Sequence, residues 1–166
     1  MKIQIIDERL SLLSKEDGNA GYDLQAVAVF NEVTGKRFTL DQGIAGCGSV
    51  DIHAGECIKF GTGIKVHINN NNLVGLIYPR SKLGVSSGIV LGNLVGVIDA
   101  NYQGELIVAL WNRSEELYTV KCFDKIAQII FTKIANPSFE VVTEFTESSE
   151  RGEKGINCKE LRLWVE

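Results

Sequence analysis

Alternation with a period of two governs much of this chain. In "GIKVHIN", Ile64, Val66 and Ile68 fall on one face and Lys65 and His67 on the other. Successive side chains of a strand point to opposite faces, so this is the pattern of a half-buried strand. "YDLQAVAVF" repeats the pattern, with Leu24, Ala26, Ala28 and Phe30 on a shared side. "ELIVALWN" and "KIAQIIFTKI" are more uniformly apolar and β-branched, as strands covered on both faces are. Seventeen glycines and only two prolines punctuate these runs, which predicts many short strands joined by tight turns. The expected class is all-β, a sandwich or barrel. A helix is expected only as a short piece over residues 81–87, "SKLGVSS", where the pattern neither alternates nor is apolar.

Two stretches depart from the pattern. Residues 31–50 are richer in glycine and turn formers than their flanks and predict an extra surface hairpin. From residue 143 the chain turns acidic and polar, "TEFTESSERGEKGINCKE", which predicts a mobile arm over residues 143–166 leaving a domain of residues 1–142. The closing "LRLWVE" is apolar again, so the end of the arm is expected to dock. At 166 residues, a length that suits one domain, the chain can bury a real core.

Charge narrows the partners. A formal net charge of −4 argues against a broad basic face for a nucleic-acid backbone, while leaving room for a local cluster that binds a small anion. Charged residues interrupt the short apolar run near the start, and nothing approaches the ~18 apolar residues of a membrane span, so neither a signal peptide nor a membrane partner is expected. Cys47, Cys57, Cys122 and Cys158 show no metal-ligand spacing, and His53 and His67 are isolated. They read as reduced thiols and strand or surface histidines of a cytoplasmic protein.

Four short segments carry the candidate chemistry: "AGYDLQA", "YPRSKLG", "GNLVGVIDANYQGEL" and "KIAQIIF". Taken singly, Asp23, Arg80, Asp99 and Gln128 read as ordinary surface, turn or strand-edge residues. Their order and spacing together resemble the trimeric dUTPase family, whose motifs look like A-G-x-D-L-x-A, P-R-S-x-L-G, G-N-x-x-G-x-I-D-x-x-Y-x-G and R-x-A-Q. The resemblance runs over residues 20–131, with a weaker fifth motif at "RGEKGINCKE".

The resemblance implies a jelly-roll-like β-barrel assembled as a homotrimer, with active sites shared between subunits. It also implies hydrolysis of dUTP to dUMP and pyrophosphate with Mg²⁺ on the triphosphate. By the same match Asp99 is the general base for water attack at the α-phosphorus, a role a carboxylate can fill. Tyr102 packs under the deoxyribose, and Asn93 and the hairpin backbone face uracil. Arg80, Ser81 and Lys82 meet the phosphates, as does Gln128, and Asp23 reaches Mg²⁺ through water. Arg151 and Ile156 are the arm's substrate contacts. Three positions depart from the pattern: Lys82 replaces Gly or Ser, Lys125 replaces Arg, and Ile156 replaces a Phe that stacks on uracil. Weaker or differently built closure of the arm is therefore expected. The alternatives on the same fold are a dCTP deaminase, a bifunctional deaminase and dUTPase, or a non-catalytic protein that senses nucleotides or binds a partner. Tyr102 favours the dUTPase, because the deaminase turn carries Trp or Phe there.

Overall fold

The computed structural model describes residues 1–13, 15–40, 48–147, 149–150 and 152. It divides into a unit of residues 1–135 and a unit of residues 136–166. The first unit is built from strands with one short helix. In chain order these are β1 (Lys2–Ile5), β2 (Tyr22–Gln25), β3 (Ala28–Phe30), β4 (Arg37–Thr39), β5 (Ser49–Ile52), β6 (Cys57–His67) and β7 (Leu73–Pro79). Then come α1 (Ser81–Ser86), β8 (Ile89–Leu91), β9 (Gly96–Ile98), β10 (Glu105–Asn112), β11 (Tyr118–Lys121) and β12 (Lys125–Lys133).

Three antiparallel sheets form an all-β, jelly-roll-like fold. One runs β4-β3-β6-β10-β8 with β1 added on β6, a second is the pair β11-β5, and the third runs β2-β12-β7-β9. Ile64, Val66 and Ile68 are 0 to 3% exposed, as their alternation predicts, and join Leu24, Phe60, Leu106, Leu110 and Ile129 in one core. The helix falls where the period-two pattern lapses, at the end of β7. It is a single stretch of six residues in which Gly84 N–H donates to Arg80 O at 3.1 Å.

Three differences from the sequence pattern have physical causes. The alternating run 22–30 is two strands in two sheets. Ala26 and Val27 carry the chain across the core, fully buried, with Ala26 N–H donating to Asp124 O and Val27 N–H to Gly61 O. β10 is covered on one face only: Leu106, Val108 and Leu110 are buried, while Ile107 and Trp111 stand 43% and 38% exposed, because among the described residues no second layer lies over them. Of residues 31–50, the first nine belong to the hairpin of β3 and β4, residues 41–47 lie outside the described residues, and Ser49 opens β5, which pairs with β11. In the second unit the described residues form no strand or helix, and Phe139, Val141 and Phe145 are at least 87% exposed.

Candidate functional site

The sheet β2-β12-β7 brings three of the sequence segments together by register. Gln128 of β12 lies opposite Asp23 of β2 on one side and Tyr78 of β7 on the other, and Ala127 lies opposite Pro79. β7 then runs straight into Arg80 and α1, so Ser81 and Lys82 emerge beside the same edge. A cavity of about 590 Å³ opens there, lined by Asp23, Arg80, Ser81, Lys82, Lys125 and Gln128, together with Lys15, Glu16, Asn19, Ala20 and Gly21. Its size suits a small polar ligand.

Asp23 is the electrostatic centre of this cavity. Its Oδ1 lies 3.2 Å from Arg80 Nη1 and its Oδ2 lies 2.8 Å from Lys125 Nζ. One carboxylate thus holds two cations and leaves a surplus of positive charge. In total four cationic side chains face two anionic ones in the lining. An anion with several negative oxygens is what such a surface attracts. Gln128 donates from Nε2 to Pro79 O at 3.3 Å, and its Oε1 is where a Cβ on Gly21 would come to 2.6 Å. Gly21 is therefore a requirement of close approach: any larger residue displaces the Gln128 amide from the cavity wall.

The third segment forms a separate, well-braced turn between β9 and β10; these two strands lie in different sheets and do not pair, so the hairpin expected there is instead a connection from one sheet to the other. Tyr102 N–H donates to Asp99 O at 3.1 Å, closing the turn, and Asn69 N–H donates to Ala100 O at 2.9 Å, tying its tip to the β6–β7 connection. The Tyr102 hydroxyl donates to Glu105 O at 2.9 Å, which lays the ring against Gly104, where a side chain would collide with it. The Glu105 carboxylate accepts two bonds from Arg37, at 3.0 and 3.1 Å, and one from Gly63 N–H at 2.7 Å. This bidentate clamp fixes the root of the turn. Asn93 lies exposed in the β8–β9 turn, where Leu94 takes a positive φ of 63°.

Asp99, Tyr102 and Asn93 do not line the cavity that Arg80 lines. Ile98 pairs with Gly75, five residues back along β7 from Arg80. At ~3.4 Å per residue, Asp99 is thus carried roughly 17 Å or more toward the opposite end of the strand. The single chain presents two half-sites, one cationic and one built around an exposed carboxylate and a fixed ring. Arg151 and Ile156 lie outside the described residues. Lys15, Glu16 and Asn19 are cavity residues that no motif flagged, since they precede the first motif, which opens at Ala20.

Among the described residues no cluster of three or more His, Cys, Asp or Glu could hold a metal by itself. The two carboxylates of the cavity, Asp23 and Glu16, still fit an ion that keeps several waters and shares a ligand's phosphates.

Comparison with known proteins gives one family. The family model described as dUTPase matches residues 44–158. A deoxyuridine 5'-triphosphate nucleotidohydrolase of Psychrobacter cryohalolentis is 43% identical over 151 residues, covering 90% of this chain and 86% of the relative. One from Legionella pneumophila is 57% identical over 95 residues, covering 57% of this chain and 62% of that protein. Among solved structures, a variant dUTPase of Staphylococcus bacteriophage 80alpha with dUpNHpp superposes with a TM-score of 0.72 at 21% identity, over 93% of this chain and 94% of that one. A variant dUTPase of phage phi11, described with a structural Mg(II) ion, gives 0.68 at 20% identity, over 88% and 98%.

Proposed function

From the premise that the chain belongs to the dUTPase family, and hydrolyses dUTP to dUMP and pyrophosphate, we propose an active site assembled between copies of the chain. The observation that carries the assembly is the separation of the two half-sites along β7. A second copy must bring its Asp99 turn to the cationic cavity of the first. The exposed Ile107 and Trp111 on β10 support this, since an apolar face left bare in one chain is the kind that another copy covers. A homotrimer is the assembly the family pattern implies.

In this reading the cavity binds the triphosphate. Arg80 offers a bidentate fork, Ser81 a hydroxyl, Lys82 an ammonium in place of the usual small residue, and Gln128 an amide. The Asp99 carboxylate accepts a proton from a water whose oxygen attacks the α-phosphorus. The new P–O bond forms as the bond to the bridging oxygen of the β-phosphate breaks, and pyrophosphate leaves with the electron pair. Because the turn is braced at Asn69, Glu105 and Arg37, the carboxylate needs little reorganisation to act.

Tyr102, fixed by the bond from its hydroxyl to Glu105 O, forms the floor under the deoxyribose, where a 2'-hydroxyl would collide. Asn93 and the backbone of the β9–β10 turn hydrogen-bond uracil, and a site that must pair its polar groups rejects a base that leaves them unmet. Arg151, by its match to the fifth motif, and Ile156, at the position of that motif's Phe, are further substrate contacts. Asp23 would hold Mg²⁺ through water, with Glu16 the other carboxylate in reach of the same space. Bound there, the ion would neutralise charge on the phosphate oxygens. The cytoplasm, where thiols stay reduced, is the compartment that suits the chain's scattered cysteines.

The test is pyrophosphate release from dUTP beside dTTP, dCTP and UTP, repeated with Asp99→Asn. Turnover of dUTP alone, with the variant slower by about 10²- to 10⁴-fold, is the expected result. Ammonia release from dCTP, or an Asp99→Asn variant as fast as the parent, would overturn the assignment.

A further inference from the structure

Lys15 precedes the first motif and lies in a turn-forming stretch, yet it lines the cationic cavity. Its Nζ sits 5.2 Å from the centre of the Tyr22 ring, within the ~6 Å at which a ring face attracts a cation. Tyr22 is itself immobilised. It pairs with Ile129 in the β2–β12 ladder and meets Phe131 edge-on, ring centres 6.3 Å apart. A surface lysine ordinarily loses much side-chain freedom when it grips a ligand, and a ring that already restrains it lowers that cost. Lys15 also borders an apolar groove shared with Leu12, Leu13, Tyr22 and Phe131, so its methylene stem has apolar surface to lie on while the ammonium serves the cavity.

Two of the other three cations of the cavity differ from Lys15 in one respect. Arg80 and Lys125 divide the two oxygens of Asp23 between them. Among the described residues Lys15 makes no ion pair with a carboxylate, and the same holds for Lys82. Its charge is available to a ligand without first breaking a salt bridge.

We propose that Lys15 is a substrate-binding residue that grips the polyphosphate tail of the nucleotide, with Tyr22 as the residue that positions it. The inference rests on the dUTPase reading of the cavity and adds a contact outside its motifs. It makes the cavity discriminate a triphosphate from the monophosphate product, because dUMP lacks the phosphates that Lys15 reaches.

Equilibrium binding of the slowly cleaved analogue dUpNHpp and of dUMP tests this, beside kcat and KM for dUTP, with Lys15→Gln, Lys15→Arg and Tyr22→Leu. Lys15→Gln should weaken the analogue and raise KM by about fivefold, discounted for an exposed charge, with kcat and dUMP affinity unchanged. Lys15→Arg should restore most of the loss, and Tyr22→Leu should show a smaller effect in the same direction. Unchanged analogue affinity in Lys15→Gln, an equal loss for dUMP, or an Lys15→Arg variant as weak as Lys15→Gln would overturn the proposal. Absence of dUTP turnover in the parent protein would instead count against the family chemistry, and analogue binding would still decide the role of Lys15.

Discussion

Subunit complementation offers the sharpest test of the composite site. Arg80 and Asp99 stand at opposite ends of β7, about 17 Å or more apart along the strand, so within one chain they cannot close on one phosphorus as drawn. Consider Arg80→Ala, which empties part of the cavity, and Asp99→Asn, which removes the proton acceptor. Each homo-oligomer should lose about 10²-fold or more. If each site takes its cavity from one chain and its Asp99 turn from the next, a cyclic assembly made from equal amounts of both behaves differently. A site is intact when the chain that supplies the cavity is Asp99→Asn and the chain that supplies the turn is Arg80→Ala. With random mixing that occurs at about one site in four. The mixture, co-expressed or unfolded and reassembled together, should therefore regain about a quarter of the parental pyrophosphate release per chain. Recovery no greater than the mean of the two variants would show that one chain supplies both residues, and the argument from strand register would fail.

Other expectations follow from single contacts. Gly21→Ala forces the Gln128 amide off the cavity wall, and a crystal structure of the variant should show it turned, with weaker dUpNHpp binding and about 1 kcal/mol or less lost from stability, since the obstructing atoms are largely the flexible end of a side chain. Ile107→Lys places a charge on the bare apolar face of β10; sedimentation should show a monomer, and an unchanged assembly would locate the interface elsewhere. Asp7 receives bonds from Arg9 N, Nε and Nη2 at 2.7 to 3.1 Å, and these contacts hold its carboxyl below the ordinary value of 3.8. A depressed carboxyl contributes stability that is present above that ordinary value and is lost as pH falls through the lower folded one. Asp7→Asn should thus cost about 1–2 kcal/mol at neutral pH, with the difference fading in acid below pH about 4, as read by denaturant melts at several pH values. Ile156→Phe restores an aromatic surface over the base and should tighten dUTP binding; unchanged or weaker affinity would refute the stacking argument.

What could be read in the sequence follows from how local each signal was. The strand of Ile64, Val66 and Ile68 was legible because alternation and burial share a period of two. The crossing at Ala26 and Val27 was not, because small apolar residues preserve the alternation while the backbone changes sheet, and the deciding bonds go to the distant Gly61 and Asp124. β10 looked doubly buried because Ile107 and Trp111 are as apolar as core residues, and a sequence does not say whether the cover is the same chain or another. The site divides on the same line. Asp23, Arg80, Ser81 and Gln128 carried recognisable spacing, and pairing of β2, β12 and β7 draws them to one cavity. Lys15 carried none, because its place depends on the face of Tyr22, a contact between two residues whose types are ordinary in a turn and a strand. The location of Asp99 shows the same dependence in reverse. Its motif suggests a chemistry but not a place, and the pairing of Ile98 with Gly75 is what separates it from Arg80 along β7 and supports the proposal of a site shared between copies.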